Sequence, residues 1–447
     1  MKTISKLKYV KPVSDVNLIY LSSNNIVLKK RNGNSTDNLN ILDVNKNSAR
    51  LIESIYENYK SEDIVSDVIN NLNLDPSYYE KLPSFIDILV KNNYLKIEDK
   101  VNDSDRKSIY KLQSDKYNLL TSVMVEITDK CNLMCKHCYM CASNKNTNMI
   151  TYEDFKDISK SLLDEGVLMI QLTGGEIFEN PELFEILKFS FENYAMVGLL
   201  TNASKDIDDR IFKLLVDNKD KLLVSVSIDS TNPELHNEFR SMKGAFEKST
   251  NNVKKLSNAG ISVRVTSCIF EENKWEVDKL AQLTKDLGAK LFSFNFVESF
   301  GRGDSFNKKN QIQSDWDHVK YIEKVMDDYS DVIKKIEINE YNRNRGNCGA
   351  GSSSFTIDSK KNIRPCVLSP TTFNIGEFND SLDLKNNLIK QLTNLKEPNI
   401  NNGCAKDCKF YYKCRSCYLR ALNTNKKENM ECSWIKTNNA TNLLEYI

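Results

Sequence analysis

Cys131, Cys135 and Cys138 stand at C-x3-C-x2-C spacing in the run Ile127-Thr128-Asp129-Lys130-Cys131-Asn132-Leu133-Met134-Cys135-Lys136-His137-Cys138-Tyr139. The run follows directly on the apolar segment Val123-Met124-Val125-Glu126-Ile127. Three thiolates on a loop leaving a strand can hold three irons of a [4Fe–4S] cube, whereas a cube ligated wholly by protein needs four. The fourth iron would then stay open to a small molecule. A zinc site or a set of buried structural thiols is the plainer alternative. Zinc sites, however, usually pair two C-x2-C elements, and no second element lies near this one.

Seven further cysteines crowd the C-terminal region: Cys348, Cys366, Cys404, Cys408, Cys414, Cys417 and Cys432, in the order C…C…C-x3-C-x5-C-x2-C…C. Cys404 to Cys417 alone could form a zinc knuckle, and spacing does not separate a four-thiolate zinc site from a four-thiolate iron–sulfur site. Cys141 and Cys268 belong to neither set. Cys268 lies inside a strand pattern, where a buried thiol acts as a small hydrophobe.

The elements that must position these thiols alternate regularly. Strand patterns fall at 123–128, 167–173, 196–201, 222–229, 262–269 and 290–297, with helical patterns near 152–165, 181–193, 205–218, 244–259 and 274–287. Six strands in β–α alternation require parallel pairing and right-handed crossovers. A partial (β/α)6 barrel and an open Rossmann-like sheet both satisfy that requirement. Ahead of this region, residues 1–97 open with strand-like pieces at Leu18–Leu21 and Ile26–Leu28. Three helical patterns follow, built on Ile52/Ile55, Val65/Val68/Ile69 and Leu82/Phe85/Leu89, before a short strand at Tyr94–Ile97. Residues 98–117 read as a linker, solvated over the charged stretch Glu98–Lys107. A core then spans 118–336, with a last helix near 314–336. Residues 337–447 form a loop-rich tail that metal ligation would staple.

Composition narrows the function classes. The 447 residues suffice for two or three domains. A net charge of +1 gives no electrostatic footprint for nucleic acid or a membrane surface. The N-terminal residues lack a secretory apolar core, and no run of about 18 apolar residues occurs. A cytoplasmic protein is expected. That compartment keeps thiols reduced, so a count of twelve cysteines favours metal ligation over disulfides. With only His137, His236 and His318 present, multi-histidine metal chemistry is excluded in favour of iron held by sulfur.

A second motif, Thr173-Gly174-Gly175-Glu176, ends the second strand about forty residues after the first. Its glycines let backbone carbonyls approach a ligand. Together the two motifs resemble the signature of the radical S-adenosylmethionine (radical SAM) superfamily. The resemblance implies a partial barrel with its chemistry at the C-terminal strand ends. In the superfamily the open iron chelates SAM, and the element matching Gly174, Gly175 and Glu176 receives the amino group of its methionine. Ser227 and Asp229 end the fourth strand and Arg240 follows on a helical segment. A hydroxyl or carboxylate can bond ribose, and a guanidinium can pair with SAM's carboxylate. Strand-end capping and a surface ion pair are the structural alternatives. His137 stands where the superfamily often carries an aromatic residue near the adenine.

The tail resembles the SPASM extension, which houses auxiliary [4Fe–4S] clusters. This implies a four-thiolate set, Cys404, Cys408, Cys414 and Cys432, and leaves Cys348, Cys366 and Cys417 to another cluster, three clusters in all. The related full pattern has an eighth cysteine where this chain reads Gly351-Ser352-Ser353-Ser354, so an open iron able to take a substrate thiolate is expected there, with ligation by a serine as the alternative. Residues 1–97 resemble the winged-helix-like PqqD-type element that binds leader peptides by strand addition. Phe300-Gly301-Arg302-Gly303, Asn347-Cys348-Gly349-Ala350-Gly351, Arg364-Pro365-Cys366 and Cys432-Ser433-Trp434 are similar to the sactipeptide synthases. These join a cysteine sulfur to the α-carbon of another residue in a ribosomally synthesised bacteriocin precursor. Implied partners are that precursor with its leader and an electron donor such as flavodoxin or ferredoxin. Linkage to a β- or γ-carbon, or between carbons, is the alternative. Sulfatase-maturing relatives carry Asp after the cysteine matching Cys366, where this chain has Val367.

Overall fold

The computed structural model describes residues 9–20, 26–30, 41–113, 122–165, 167–310, 316–333, 347–378 and 387–447. The chain divides into two compact units: residues up to Leu119 with the short segment Leu162–Gly166, and the remainder.

The first unit runs β1 (Tyr9–Pro12), β2 (Val16–Tyr20), β3 (Ile26–Lys30), β4 (Ile41–Val44), α1 (Lys46–Glu57), α2 (Ile64–Leu72), α3 (Tyr78–Lys91), β5 (Leu95–Glu98) and β6 (Ile109–Gln113). Asn45 and Asp63 cap α1 and α2, each side chain accepting a backbone N–H in the first turn. Ile52, Ile55, Val68, Leu82 and Leu89 from the helices are buried with Leu18 and Leu28 of the sheet. That sheet has the order β4-β3-β2-β6, while β1 pairs with β5. Strand β6 corrects the expected linker. Ile109–Gln113 pairs in parallel with β2, and Ile109 packs on the core. Charged flanks concealed a strand whose partner lies about ninety residues upstream in sequence (Val16 opposite Ile109). Strands β1 and β4 also carried no sequence signal strong enough to be read. Leu21 and residues 114–117 lie outside the described residues.

In the second unit β7 (Ser122–Glu126), β8 (Met169–Thr173), β9 (Met196–Thr201), β10 (Leu222–Ser227), β11 (Ser262–Ile269) and β12 (Leu291–Phe296) alternate with helices. These are α4 (Tyr152–Asp164), α5 (Leu183–Asn193), α6 (Asp209–Asp217), α7 (Pro233–Arg240), α8 (Ala245–Asn258) and α9 (Val277–Asp286). The six strands lie in the order β12-β11-β10-β9-β8-β7, every neighbour parallel. A doubly wound sheet reverses its strand order at a switch point. This one never does, so right-handed crossovers place every helix on one face and the sheet curls as part of a barrel. Along β11 burial alternates residue by residue. Val263 and Val265 lie under the helices, and Thr266 and Cys268 face the other side, half-buried. Ser227 pairs with Thr266 and shares that helix-free face.

The tail departs from the expected loop-rich unit. Its strand Ser354–Ile357 (β13) pairs in parallel with β7, and Asn362–Arg364 (β14) and Gly376–Glu377 (β15) continue the same sheet antiparallel. Short strands of three or four residues leave little periodicity to read, and a neighbour in space completes them. Helix α10 (Arg302–Asn310) went unanticipated. The helix expected near 314–336 is α11 (Trp316–Asp328), with residues 314–315 and 334–336 outside the described residues, as are 337–346 of the tail. Trp434, fully buried, anchors the tail's last turn by donating from Nε1 to the Lys396 carbonyl.

Candidate active site

The three cysteines sit on the loop leaving β7, and that loop is clamped from several sides. Cys131 N donates to Ser143 O (3.0 Å) and Ile150 N to Ile127 O (3.0 Å), closing the loop on itself. Asp129 accepts from the Asn148 backbone at 2.9 Å. The glycines that end β8 press on the same backbone: Gly175 N donates to Thr128 O (2.8 Å) and Glu176 N to Lys130 O (2.9 Å). A Cβ on Gly174 would lie 2.2 Å from Thr128 O, and one on Gly175 2.2 Å from Lys130 O. Only glycine permits this approach, which ties the two motifs into one structure.

Each of the three sulfurs has a donor aimed at it. Leu133 N lies 3.4 Å from Cys131 Sγ and Ala142 N 3.4 Å from Cys138 Sγ. Asn202 Nδ2 lies 3.8 Å from Cys131 Sγ, and Arg240 Nη1 3.9 Å from Cys135 Sγ. Donors around sulfur are what thiolate ligands of iron require. Burial, with the neighbouring Glu176, Cys135 and Cys138, pushes the Cys131 thiol up to about 12, so it would not ionise alone. A coordinating metal deprotonates such a thiol outright. The donor set therefore fits an iron–sulfur group held by Cys131, Cys135 and Cys138.

Other expected contacts divide into two kinds. Ser227 makes no side-chain hydrogen bond among the described residues and lies on the accessible face. Glu176 and Asp229, expected at the cofactor, are buried, and each accepts three hydrogen bonds from the protein. Glu176 accepts from Thr201 Oγ1 (2.6 Å), Asn202 N (2.8 Å) and Phe178 N (3.3 Å). Asp229 holds Arg240 through two bonds, from Nε (2.6 Å) and Nη2 (3.0 Å), and also accepts from Cys268 N (2.9 Å). Burial alone would raise its carboxyl, but the Arg240 guanidinium outweighs that and holds it down to about 2. These carboxylates satisfy buried donors and orient their neighbours. Arg240 keeps both Nη1 hydrogens and one on Nη2, and Nη1 lies beside Cys135. The His137 ring stacks on Phe239 at 4.2 Å, so one of its faces is taken by protein. Burial, with the nearby Arg240, lowers its pKa to about 3 and keeps it neutral.

Two residues escaped the sequence reading. Arg302 donates from Nε to Cys135 O (2.8 Å) and from Nη2 to Ala142 O (2.9 Å), bracing the cysteine loop from α10. Its flanking Gly301 lets the chain pass where a Cβ would lie 2.2 Å from Tyr139 O. Asn202, at the end of β9, bridges Glu176, Asn132 and Cys131. The Phe-Gly-Arg-Gly run was visible as a motif, but nothing local tied it to cysteines more than 160 residues away.

The tail cysteines sort into two neighbourhoods. Cys404, Cys408, Cys414 and Cys432 line one cavity of about 280 Å³. Burial pushes Cys404 and Cys414 each up to about 11, with Cys432 and Cys408 adding in both cases. Cys366 is pushed up to about 12 by burial, then by Cys417 and Cys348. Cys348 also acts on Cys417. Among the described residues no three His, Cys, Asp or Glu converge on a single metal-ion position. A buried ion pair, Glu126 with Arg364 at 2.6 Å, fastens β7 to β14 two residues before Cys366.

The profile of the radical SAM superfamily matches residues 125–284, the span that carries the cysteine loop, the glycine pair and Asp229–Arg240. Over 354 residues the chain is 36% identical to the antilisterial bacteriocin subtilosin biosynthesis protein AlbA of Bacillus subtilis (strain 168), covering 77% of this chain and 78% of that protein. This chain belongs to the radical SAM superfamily and is an enzyme of that class. The superfamily implies a [4Fe–4S] cluster and SAM. The sporulation killing factor maturation protein SkfB of the same organism is 29% identical over 181 residues, 40% of this chain and 43% of that one. Among solved structures, Streptococcus suis SuiB bound to precursor peptide SuiA superposes with a TM-score of 0.57 at 14% identity, covering 94% of this radical SAM enzyme and 97% of that chain. At that identity the likeness concerns the fold. No described helix is long and apolar enough to cross a membrane.

Proposed function

We propose that this enzyme matures a ribosomally synthesised bacteriocin precursor by joining a cysteine sulfur to the α-carbon of another residue. The supporting observation is one chain that combines a clamped three-thiol loop with two separate thiol neighbourhoods in its tail. Its similarity to a bacteriocin biosynthesis protein over 77% of its length agrees with that reading. Cys131, Cys135 and Cys138 would hold the SAM-binding cluster. When bound there, cluster and SAM together supply a 5′-deoxyadenosyl radical, which can take a hydrogen atom from a peptide carbon.

The chain's own residues prepare that event. Gly174 and Gly175 bring backbone against the cysteine loop, where carbonyls can meet SAM's amino group. Ser227 offers its free hydroxyl to the ribose, and Arg240, held by Asp229, presents Nη1 beside Cys135. Arg302 prevents the loop from moving as its ligands bind.

Cys404, Cys408, Cys414 and Cys432 would hold a second cluster, and Cys348, Cys366 and Cys417 a third with one open position. Ser352 and Ser354 both direct their hydroxyls to Gly349 O, at 3.0 and 3.4 Å, which favours leaving that position to a substrate thiolate. In the first unit β4 and β6 end their sheet and offer edges to an extended leader segment. A low-potential flavodoxin or ferredoxin would deliver the electron, and the reaction would run in the cytoplasm.

The test is anaerobic incubation of reconstituted enzyme, SAM and reductant with a small cysteine-containing peptide sought in the reading frames adjacent to its gene. Loss of two hydrogens per link, with tandem mass spectra placing each link on an α-carbon, is the expected result. A peptide returned unchanged, or linked at a β- or γ-carbon, would refute the assignment.

A further inference from the structure

A cavity of about 230 Å³ lies where β11 and β12 end, the end of the sheet at which barrel enzymes place their chemistry. Its floor is apolar: Ile269, Phe270, Phe296, Val297 and Phe300. Phe296 is left 43% exposed there, unusual for an aromatic side chain in a strand. The volume falls below the roughly 300–1,000 Å³ of sites for drug-sized ligands and suits one side chain rather than a peptide segment.

The rim is polar in a specific sense. Asn307 donates its amide hydrogens to Val297 O (2.7 Å) and Ser299 Oγ (3.0 Å), and Asn423 donates to Ser299 O (3.0 Å). Both amide hydrogens of Asn307 and one of Asn423 are spent inside the protein, and the two amide oxygens remain to accept. Arg420 and Glu298, also at the rim, neutralise each other, with Nε to Oε1 at 2.8 Å. Lys413 adds a further cation to the lining, so the cavity rejects a cationic side chain, whose desolvation nothing inside would offset.

Its two flanks lead to the two sets of cysteines. On one side Phe270 stacks on Phe239 at 4.1 Å, and Phe239 stacks on His137 between Cys135 and Cys138. On the other, Arg420 and Asn423 belong to the helix Tyr418–Glu428, which starts directly after Cys417. Glu298 is within electrostatic reach of both Cys268 and Cys417, and Cys268 in turn of Cys135.

We propose that this cavity seats the apolar side chain of the substrate residue that is to lose its hydrogen, with the Asn307 and Asn423 amide oxygens accepting from the peptide backbone. The inference rests on the peptide-maturase reading and names the side-chain class which that reading leaves open.

Saturation-transfer NMR on the cluster-reconstituted enzyme tests it with N-acetyl amides of phenylalanine, leucine and lysine as probes. Phenylalanine and leucine amides should bind. The lysine amide should not. Phe296→Asp should weaken the phenylalanine probe about tenfold, and Asn423→Ala should weaken all apolar probes. Both variants should keep the circular-dichroism spectrum of the native enzyme, which reports that they fold. Equal binding of the lysine and apolar probes, equal binding by the native enzyme and Phe296→Asp, or no binding of any probe overturns the assignment. Absence of SAM cleavage in the native enzyme would instead overturn the enzymatic reading, and the binding arm would still decide the cavity.

Discussion

Gly175→Ala isolates the contact that joins the two cofactor motifs. The added Cβ would lie 2.2 Å from Lys130 O, 2.5 Å from Lys130 C and 2.9 Å from Asp129 O, all backbone atoms, where ordinary contact begins at 3.4 Å. No rotamer relieves the overlap, so the strand end and the cysteine loop must separate by roughly 1 Å, and the bonds Gly175 N to Thr128 O and Glu176 N to Lys130 O lengthen with them. Overpacking of this size costs about 1–3 kcal/mol of stability. Misplacement of a reacting group by about 1 Å costs on the order of a hundredfold in rate, or ~2.7 kcal/mol of activation free energy. The assay is 5′-deoxyadenosine release under dithionite at saturating SAM, with cluster content measured by iron and absorbance. Gly376→Ala serves as the control, because its Cβ would meet only Ile363 Cδ1 at an ordinary 3.7 Å. If Gly175→Ala retains full clusters and cleaves SAM within about threefold of native, the reasoning from the clamp to the chemistry is wrong.

Replacing Cys131, Cys135 and Cys138 together with Ala should abolish 5′-deoxyadenosine formation while the tail keeps its iron; residual cleavage in that variant would refute the cluster assignment. Cys348→Ala should still cleave SAM but leave the peptide unlinked, read by mass spectrometry. Arg364→Met strands the buried Glu126 carboxylate and should lower stability by roughly 3–5 kcal/mol, followed as a drop in melting temperature, with much of it recovered in the double variant Glu126→Met/Arg364→Met. Burial holds the Glu126 carboxyl above its usual range even with Arg364 beside it. The single variant should therefore regain stability as pH falls and Glu126 takes a proton, and lose it as pH rises; a flat pH profile would contradict this. Removing the first unit should weaken peptide processing and leave dithionite-driven SAM cleavage intact, with leader affinity measured by fluorescence anisotropy on both forms.

The chemistry-bearing loop was legible from sequence because its signal is local. Cys131, Cys135 and Cys138 lie within eight residues, and the β–α alternation around them repeats with the period of a parallel sheet. All six core strands appear within about two residues of their expected bounds for that reason. The glycine pair was legible as a motif, though its purpose was not: a Cβ on either residue meets backbone some forty-five residues away in sequence. The protein partners of Glu176 and Asp229 were hidden on the same ground. Whether a strand-end carboxylate faces a ligand or satisfies buried N–H groups depends on which segments converge there, here Thr201–Asn202 and Arg240 with Cys268.

By itself, then, the sequence determined the alternating core and the gathering of thiols on one loop and in the tail. Both follow from residue chemistry and short-range spacing, which a chain carries unfolded. The division of the tail thiols into four and three came from the resemblance alone. Tertiary structure alone decided that β6 and β13 join sheets begun far upstream, since a strand of four or five residues has no stability until a neighbour supplies its hydrogen bonds. Only the fold shows Arg302 under the cysteine loop, Asn202 beside Cys131, and an apolar cavity flanked by residues of β11, β12 and the helix after Cys417. Those placements depend on contacts between residues separated by 70 to more than 160 positions, and spacing along the chain carries no information about approach across it.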